Sequence, residues 1–176
     1  MNRSQQIIDE ILVMDAQDGS RRAMDMLVQR WQKRIWRHAL HLTGDHQAAW
    51  DVTQQTWLAI VKGLGKLQDP ARFKAWAYRI TTNKSIDWIN NSKPTRHINA
   101  DRLQDHPQTE KRDLGVKELL AKLDMKKKVV LTLYYFQQLS VPEISAALDI
   151  PKGTVKSRLD SARKQFKQIW QQHRRQ

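Results

Sequence analysis

The sequence predicts an all-α protein: two small helical domains joined by a flexible linker, the second containing a helix-turn-helix. Apolar residues recur at the spacing of one buried helix face over the first 90 residues and again from residue 114. Between them, residues 91–113 lose that spacing and contain two prolines. No run alternates polar and apolar residues for long enough to indicate a sheet. We therefore expect domains at 1–90 and 114–176 and a linker at 91–113.

End signals divide the first domain into helices. Residues 18–20 read Asp-Gly-Ser, a stop followed by a cap, and residues 44–45 read Gly-Asp, which ends that helix and caps the next. Residues 69–70 read Asp-Pro, a cap with a first-turn proline, and open a helix expected to end near residue 90. The helix after residue 20 is predicted to bury one stripe: Met24, Leu27, Val28, Trp31, Ile35, Ala39 and Leu42.

The helix after residue 45 carries two neighbouring stripes and is expected to reach about residue 64. Its predicted core stripe is Trp50, Trp57, Val61 and Leu64. The more polar stripe beside it is Asp51, Gln54, Gln55 and Leu58. The helix that follows is predicted to bury Phe73, Trp76, Ala77 and Ile80. Two stripes of different polarity therefore lie side by side on this helix.

The charge of the chain favours a polyanionic partner. The 176 residues contain 31 Lys and Arg against 18 Asp and Glu, a net charge of +13, so nucleic acid is the first candidate and an anionic membrane surface the second. Residues 114–176 hold 13 basic and 5 acidic side chains, so phosphate contacts are expected there. Cysteine is absent, which excludes disulfides and thiolate chemistry. No apolar stretch has the length of a transmembrane helix, and we expect a cytoplasmic protein without membrane insertion.

Enzymatic chemistry has little support in the sequence. The best candidate for a metal site is His38 with His41 on one helix face, followed by Asp45 and His46. Histidines on an amphipathic helix are more often solvated or half-buried than ligands. The chain has no glycine-rich phosphate loop, nucleophile elbow or suitably spaced carboxylate pair. We therefore expect no catalytic residue, no metal and no cofactor.

Residues 140–166 have the layout of a helix-turn-helix. Ser140 and Glu143 form an S-x-x-E capping box, and residues 149–153 supply the turn. The second helix is predicted to bury Val155, Leu159, Ala162, Phe166 and Ile169. The amines, hydroxyls and guanidinium groups on its other side suit a major groove and its phosphates. Judged from these residues alone, the alternative is a pair of packed helices with a solvated basic face.

Three segments resemble one family, the extracytoplasmic-function group of bacterial RNA polymerase sigma factors. LSVPEISAALDIPKGTVKSRLDSARK is similar to that group's fourth conserved region. LTGDHQAAWDVTQQTWLAIVK resembles its polymerase-binding segment, with Asp51, Gln54, Thr56 and Trp57 in a D-x-x-Q-x-T-aromatic pattern. FKAWAYRITTNKSIDWI resembles the segment that reads the melted promoter element. The resemblance covers about residues 20–90 and 114–170.

The resemblance implies a function for each surface. The partners it implies are core RNA polymerase (clamp helices of the largest subunit, flap of the second), promoter DNA and an anti-sigma factor. The implied polymerase contacts are Asp51, Gln54, Gln55 and Leu58. The implied contacts to the melted −10 element are Gly65, Lys66, Lys74, Tyr78, Arg79, Asn83 and Lys84. Those to the duplex −35 element are Lys152, Thr154, Lys156, Ser157, Arg158, Asp160, Ser161, Arg163 and Lys164.

The sequence departs from the family pattern at four positions. Asp124 replaces a usual proline, Gln138 and Asp149 replace usual glycines, and Gln55 stands where Glu is common. Asp tolerates the left-handed backbone conformation better than most residues, so we expect the turn at Asp149 to survive. The alternative function is a stand-alone regulator that uses the same helix-turn-helix, with the first domain serving for dimerisation or effector binding.

Overall fold

The computed structural model describes residues 3–91, 116 and 118–174, and all regular structure within them is helical. The main helices are α1 (Arg3–Gln17), α2 (Arg21–Thr43), α3 (His46–Gly63), α4 (Phe73–Asn91), α5 (Met125–Leu131), α6 (Val141–Leu148) and α7 (Lys152–His173). The predicted all-α fold is confirmed. Residue 91 ends α4, and the rest of the predicted linker lies outside the described residues. None of the described helices is both long and apolar enough to cross a membrane.

The predicted helix ends of the first domain form as the sequence indicates. Ser20 caps α2 by accepting a hydrogen bond from the backbone N–H of Ala23, and Gly44 ends α2 with φ 75°. Asp45 caps α3, with its Oδ1 2.7 Å from the N of Ala48. The third start differs in detail, because Pro70–Arg72 forms a 3₁₀ turn and α4 begins only at Phe73.

The core of the first domain is built around Trp31 of α2. Its ring is fully buried and meets the rings of Phe73 and Tyr78 edge-on, at centroid distances of 5.2 and 5.9 Å. Such edge-to-face aromatic pairs add to the gain from burial alone. Five members of the stripe predicted for α2 are fully or almost fully buried, namely Leu27, Trp31, Ile35, Ala39 and Leu42. α2 and α4 are thereby held together along the face that α4 turns inward.

The core stripe predicted for α3 is partly wrong. Trp50 is 43% exposed and Val61 58% exposed. The buried face consists of smaller side chains, which allow α3 to approach α2 and α4 closely: Ala48, Ala49, Val52, Thr53, Thr56 and Ile60. The threonine hydroxyls are buried without cost because each donates to a carbonyl four residues earlier, at 2.7 Å for Thr53 and 2.8 Å for Thr56. The face buried in the core is therefore rotated from the tryptophan stripe.

The helix-turn-helix forms as predicted. Ser140 and Glu143 make a reciprocal capping box at the start of α6. Asp149 ends α6 in the left-handed conformation, with φ 54° and ψ 48°, as its replacement of glycine requires. Gln138 also has φ 54°. On α7 the predicted buried stripe is confirmed, with Val155, Leu159, Ala162 and Ile169 buried and Phe166 half-buried.

The two halves of the chain pack against each other, which the sequence did not predict. The buried amine of Lys128 in α5 donates to the carbonyl of Leu42 at 2.7 Å, where the C-terminus of α2 presents acceptors. The ring of His41 lies 4.3 Å from that of Phe136, in a π-helical turn (Thr132–Phe136) that follows α5. Buried apolar residues from both halves form one continuous cluster.

Candidate nucleic-acid and polymerase surfaces

The outer face of α7 carries the side chains predicted to read duplex DNA. Lys152, Lys156, Ser157, Asp160, Arg163 and Lys164 are exposed, and Thr154, Arg158 and Ser161 are half-buried. Exposed positions at 152, 156, 160, 163 and 164 follow helical spacing, so they share one side of the helix. α7 begins at Lys152, so its first turn already carries an exposed cation.

Local bonds distinguish the members of this face. Arg163 is fixed by its neighbours: its Nε donates to the hydroxyl of Tyr135 at 2.8 Å, and its Nη1 lies 2.9 Å from Oδ1 of Asp160. Ser157 donates its hydroxyl to the carbonyl of Thr154 at 3.0 Å. Lys156, in contrast, has no hydrogen bond or ion pair within the described part of the chain. The Arg163 side chain is thus held in one orientation, whereas no such bond holds that of Lys156.

The polar stripe of α3 is a mixed polar and apolar surface. Gln54 and Gln55 are exposed, Leu58 is 62% exposed, and Asp51 is half-buried. Trp50 and Val61 border this stripe along one side, as their helical spacing requires. The sequence prediction placed both side chains in the core and so left them out of this surface. The small residues and threonines on the opposite face of α3 could have indicated which face is buried. A large aromatic beside aliphatic and amide groups is typical of a protein-binding surface.

The segment before α4 borders an open pocket of about 380 Å³. Its lining residues are Gly63, Lys66, Leu67, Gln68, Asp69, Arg72 and Trp76. The predicted Lys66 therefore belongs to the pocket, whereas Gly65 is exposed beside it. Phe73 is buried as expected, but Trp76 is only half-buried and turns part of its ring to the pocket. A Cβ on Gly63 would lie 3.0 Å from the Trp76 ring, so glycine permits this close packing.

Three of the α4 residues predicted to contact DNA are bound to the second half of the chain. Lys74 Nζ lies 3.0 Å from Glu143 Oε1 and 3.2 Å from the carbonyl of Gln138. The Tyr78 hydroxyl donates to Gln137 Oε1 at 2.9 Å, and Arg79 Nη2 lies 3.5 Å from Asp149 Oδ2. Tyr78 is only 2% exposed, and this burial raises the pKa of its hydroxyl. The other two predicted residues are open, with Asn83 exposed and Lys84 half-buried.

The histidines considered as metal ligands have other roles. His38 is completely buried, with Nε2 2.9 Å from the Thr82 hydroxyl. Burial, with a smaller effect from the charge of His41, lowers the pKa of His38 to about 3. The ring of His46 lies 5.6 Å from that of Trp36. No group of three or more His, Cys, Asp or Glu side chains in the described residues is arranged to hold a metal ion.

The comparisons with known proteins agree with this arrangement. Residues 27–95 match the family described as Sigma-70 region 2, and residues 114–166 match Sigma-70, region 4. The chain is 31% identical over 137 residues to the ECF RNA polymerase sigma factor SigL of Mycobacterium tuberculosis, covering 73% of this chain and 77% of that protein. The chain belongs to the extracytoplasmic-function group of the sigma-70 family. The resemblance seen in its sequence is confirmed.

Other relatives extend the similarity over most of this sigma factor. It is 28% identical over 173 residues to the RNA polymerase sigma-H factor of Pseudomonas aeruginosa, covering 88% of this chain and 90% of that protein. Among solved structures, CnrH in complex with the cytosolic domain of CnrY aligns with a TM-score of 0.76 at 27% identity, over 93% of this chain and 97% of CnrH. The sigma factor RpoE of Bartonella quintana, solved with the anti-sigma factor NepR, shares the fold at a TM-score of 0.69 and 18% identity, over 84% of this chain and 96% of RpoE.

Proposed function

We propose that this sigma factor binds core RNA polymerase and directs it to promoters whose −35 element it reads as duplex and whose −10 element it reads as melted strand. One observation carries the proposal: a single chain combines an exposed basic helix in a helix-turn-helix with a separate pocket lined by an aromatic ring and two cations. A regulator that binds only duplex DNA needs the first of these and has no use for the second.

Duplex reading is assigned to α7. The exposed amine of Lys156 can donate to the acceptors of a guanine edge, and the hydroxyl of Ser157 can still accept a hydrogen bond. Arg163, held in place by Tyr135 and Asp160, suits a fixed phosphate contact. The remaining cations at Lys152, Arg158 and Lys164 add sequence-independent attraction.

Single-strand reading is assigned to the pocket before α4 and to the outer face of α4. The pocket offers the Trp76 ring as an apolar wall and Lys66 and Arg72 as cations. An unstacked base held against an aromatic ring, with its backbone held by cations, is the usual chemistry of single-strand binding. Asn83, exposed on α4, has the donors and acceptors to contact a base edge.

Core polymerase binding is assigned to the α3 stripe, and charge reversal tests it. Asp51→Lys should weaken association with core enzyme, because it places a cation within the stripe formed by Gln54, Gln55 and Leu58. Asp25→Lys makes the same charge change at an exposed position of α2 and serves as the control. Equal co-purification of both variants with core polymerase, at wild-type helix content, would remove this assignment.

Transcription in vitro separates the sigma factor from the stand-alone regulator. Purified chain and core polymerase should together initiate at discrete positions on a library of genomic fragments, and neither should do so alone. A regulator would instead bind duplex operators tightly by itself and give no initiation with core enzyme. Failure to initiate with core, combined with tight binding of isolated duplex, would replace the proposal by the regulator.

An anti-sigma factor completes the proposed set of partners. CnrH was solved with the cytosolic domain of CnrY, and RpoE with an anti-sigma factor. Since this chain shares their fold over most of its length, we extend that kind of partner to it. The sigma factor itself would act in the cytoplasm, without a cofactor and without catalytic chemistry of its own.

A further inference from the structure

The contact between the two halves uses three residues of α4 that the family resemblance implies as contacts to the melted −10 element. Lys74, Tyr78 and Arg79 each bond to a group between residues 137 and 149. Glu143 and Asp149 supply carboxylates to the two cations, and Gln137 supplies an amide oxygen to the tyrosine.

These three side chains offer hydrogen-bond acceptor oxygens, two of them on carboxylates, as a DNA strand offers phosphate and base oxygens. Carboxylate and phosphate oxygens accept the same charge-assisted hydrogen bonds from Lys and Arg. Partial burial would raise the pKa of Glu143, but hydrogen bonds from Ser140 and Lys74 outweigh it and keep that pKa below its usual value. Glu143 is therefore ionised at neutral pH and can occupy the place of a phosphate beside Lys74.

The packing leaves the other two functional surfaces open. Lys156, Ser157 and Lys164 on α7 are exposed, as are Gln54 and Leu58 on α3. The duplex-reading and polymerase-binding faces therefore remain available while the cations of α4 are occupied.

We propose that residues 137–149 are an intramolecular substitute for the −10 strand, so that in the free sigma factor the face of α4 with Lys74, Tyr78 and Arg79 is closed to single-stranded DNA until the two halves separate. The inference rests on the proposed function for the identity of the strand, but the closed contact itself can be measured independently of it. Opening must break the buried Lys128–Leu42 hydrogen bond and the shared apolar cluster, but the Arg79–Asp149 pair is largely exposed and such pairs contribute little. A cleft of about 230 Å³, lined by Asn83, Lys126 and other residues of both halves, also leaves the interface incompletely packed.

The test changes only the second half, so that the DNA-facing side of α4 stays intact. The opening variant combines Gln137→Ala, Glu143→Gln and Asp149→Asn. Glutamine keeps the capping box at residue 143, and asparagine tolerates the left-handed conformation at residue 149. The matched control, Glu118→Gln with Asp124→Asn, removes the same two charges from exposed positions of the same half.

The first measurement is the distance between the halves of the free chain. Because the sequence has no cysteine, Lys62→Cys and Gln168→Cys, both at exposed positions, allow one spin label on each half. Wild type and control should give one narrow distance distribution by pulsed electron resonance. The opening variant should give a broad distribution extending to longer distances. A broad wild-type distribution overturns the closed contact. A narrow one in the opening variant means that the bonds made by residues 137, 143 and 149 do not hold the halves together, and it overturns the proposal.

The second measurement is binding of a fluorescent 20-nucleotide oligothymidylate to the free chain. Partial occupancy of a competent state weakens apparent affinity in proportion, so the opening variant should bind at least about fivefold more tightly than wild type and control. Lys74→Ala with Arg79→Ala should abolish the gain in the opened background. If the opening variant has a broad distance distribution but binds the oligonucleotide no more tightly than wild type, residues 137–149 do not take the place of DNA. Failure of transcription with core polymerase would reject the proposed function while leaving both of these results in place.

Discussion

Acid should destabilise this protein through one buried histidine. His38 lies in the middle of α2 with no exposed surface, its Nε2 2.9 Å from the Thr82 hydroxyl and its ring 5.2 Å from that of Tyr78. Burial and the nearby His41 lower its pKa from 6.5 to about 3. The folded protein therefore keeps His38 neutral at pH values where the unfolded chain takes up a proton.

The magnitude follows from this difference in proton uptake. Above pH 6.5 neither state is protonated at His38, and the full stability is present. Between pH 6.5 and about pH 3 the unfolded chain binds one more proton than the folded protein. The free energy of unfolding then falls by about 1.36 kcal/mol for each pH unit, or about 2 kcal/mol at pH 5. This is a large share of the roughly 5–15 kcal/mol that stabilises an ordinary domain.

His38→Gln isolates the effect, because an amide can retain the hydrogen bond to Thr82 but does not titrate. We expect this variant to be less stable than wild type at pH 7, yet to lose about 2 kcal/mol less between pH 7 and pH 5. His173→Gln, at the exposed end of α7, should behave as wild type. Urea unfolding followed by tryptophan fluorescence at both pH values measures the difference. Equal acid losses in wild type and His38→Gln would refute the reasoning.

Further predictions concern the turn and the DNA surfaces. Gln138→Gly should stabilise the protein by about 0.5–1 kcal/mol in urea unfolding, because it relieves a left-handed residue, whereas Gln168→Gly within α7 should cost a similar amount. Lys156→Ala should change base preference across a promoter library by about 1–3 kcal/mol at the contacted position. Arg163→Ala should weaken all sequences alike, and equal behaviour of these two variants would contradict the division of roles. Asn83→Ala should keep closed complexes but reduce permanganate-detectable melting, and a premelted template should restore transcription; failure of that template to do so would make Asn83 structural.

The sequence predicted the features that depend on neighbours along the chain. The caps at Ser20 and Asp45 and the turn at Asp149 form as expected, because each needs only residues within one helical turn. The burial of α3 was misjudged at Trp50 and Val61. The buried face of α3 carries small side chains and threonines that donate to their own helix, because the neighbouring helices pack closely against it. That preference depends on the neighbouring helices and not on hydrophobicity alone.

The contact between the halves could not be predicted from the sequence, because its partners are far apart along the chain. The family resemblance implies that Lys74 and Arg79 contact DNA, and no acidic residue within four positions of either in the chain suggests another partner. Their partners, Glu143 and Asp149, lie 69 and 70 residues further along. The capping box already accounts for Glu143 in the sequence, and the turn already accounts for Asp149. Their second role exists only once the halves meet.

Acidic side chains of the second half share one pattern that bears on DNA affinity. Residues 114–176 contain 5 acids, and three of them pair with cations assigned to DNA, in the pairs Lys74–Glu143, Arg79–Asp149 and Arg163–Asp160. A cation already neutralised by a carboxylate exchanges one anion for another when a phosphate arrives, so it gains less than a free cation does. Each free cation that meets a phosphate steepens the salt dependence of binding by about 0.9 in the logarithmic slope. Asp160→Asn should therefore steepen the salt dependence of duplex binding, measured by anisotropy between 50 and 200 mM salt, a range within which such slopes are resolved. An unchanged slope would mean that Asp160 does not hold Arg163 back from a phosphate, which contradicts this reasoning.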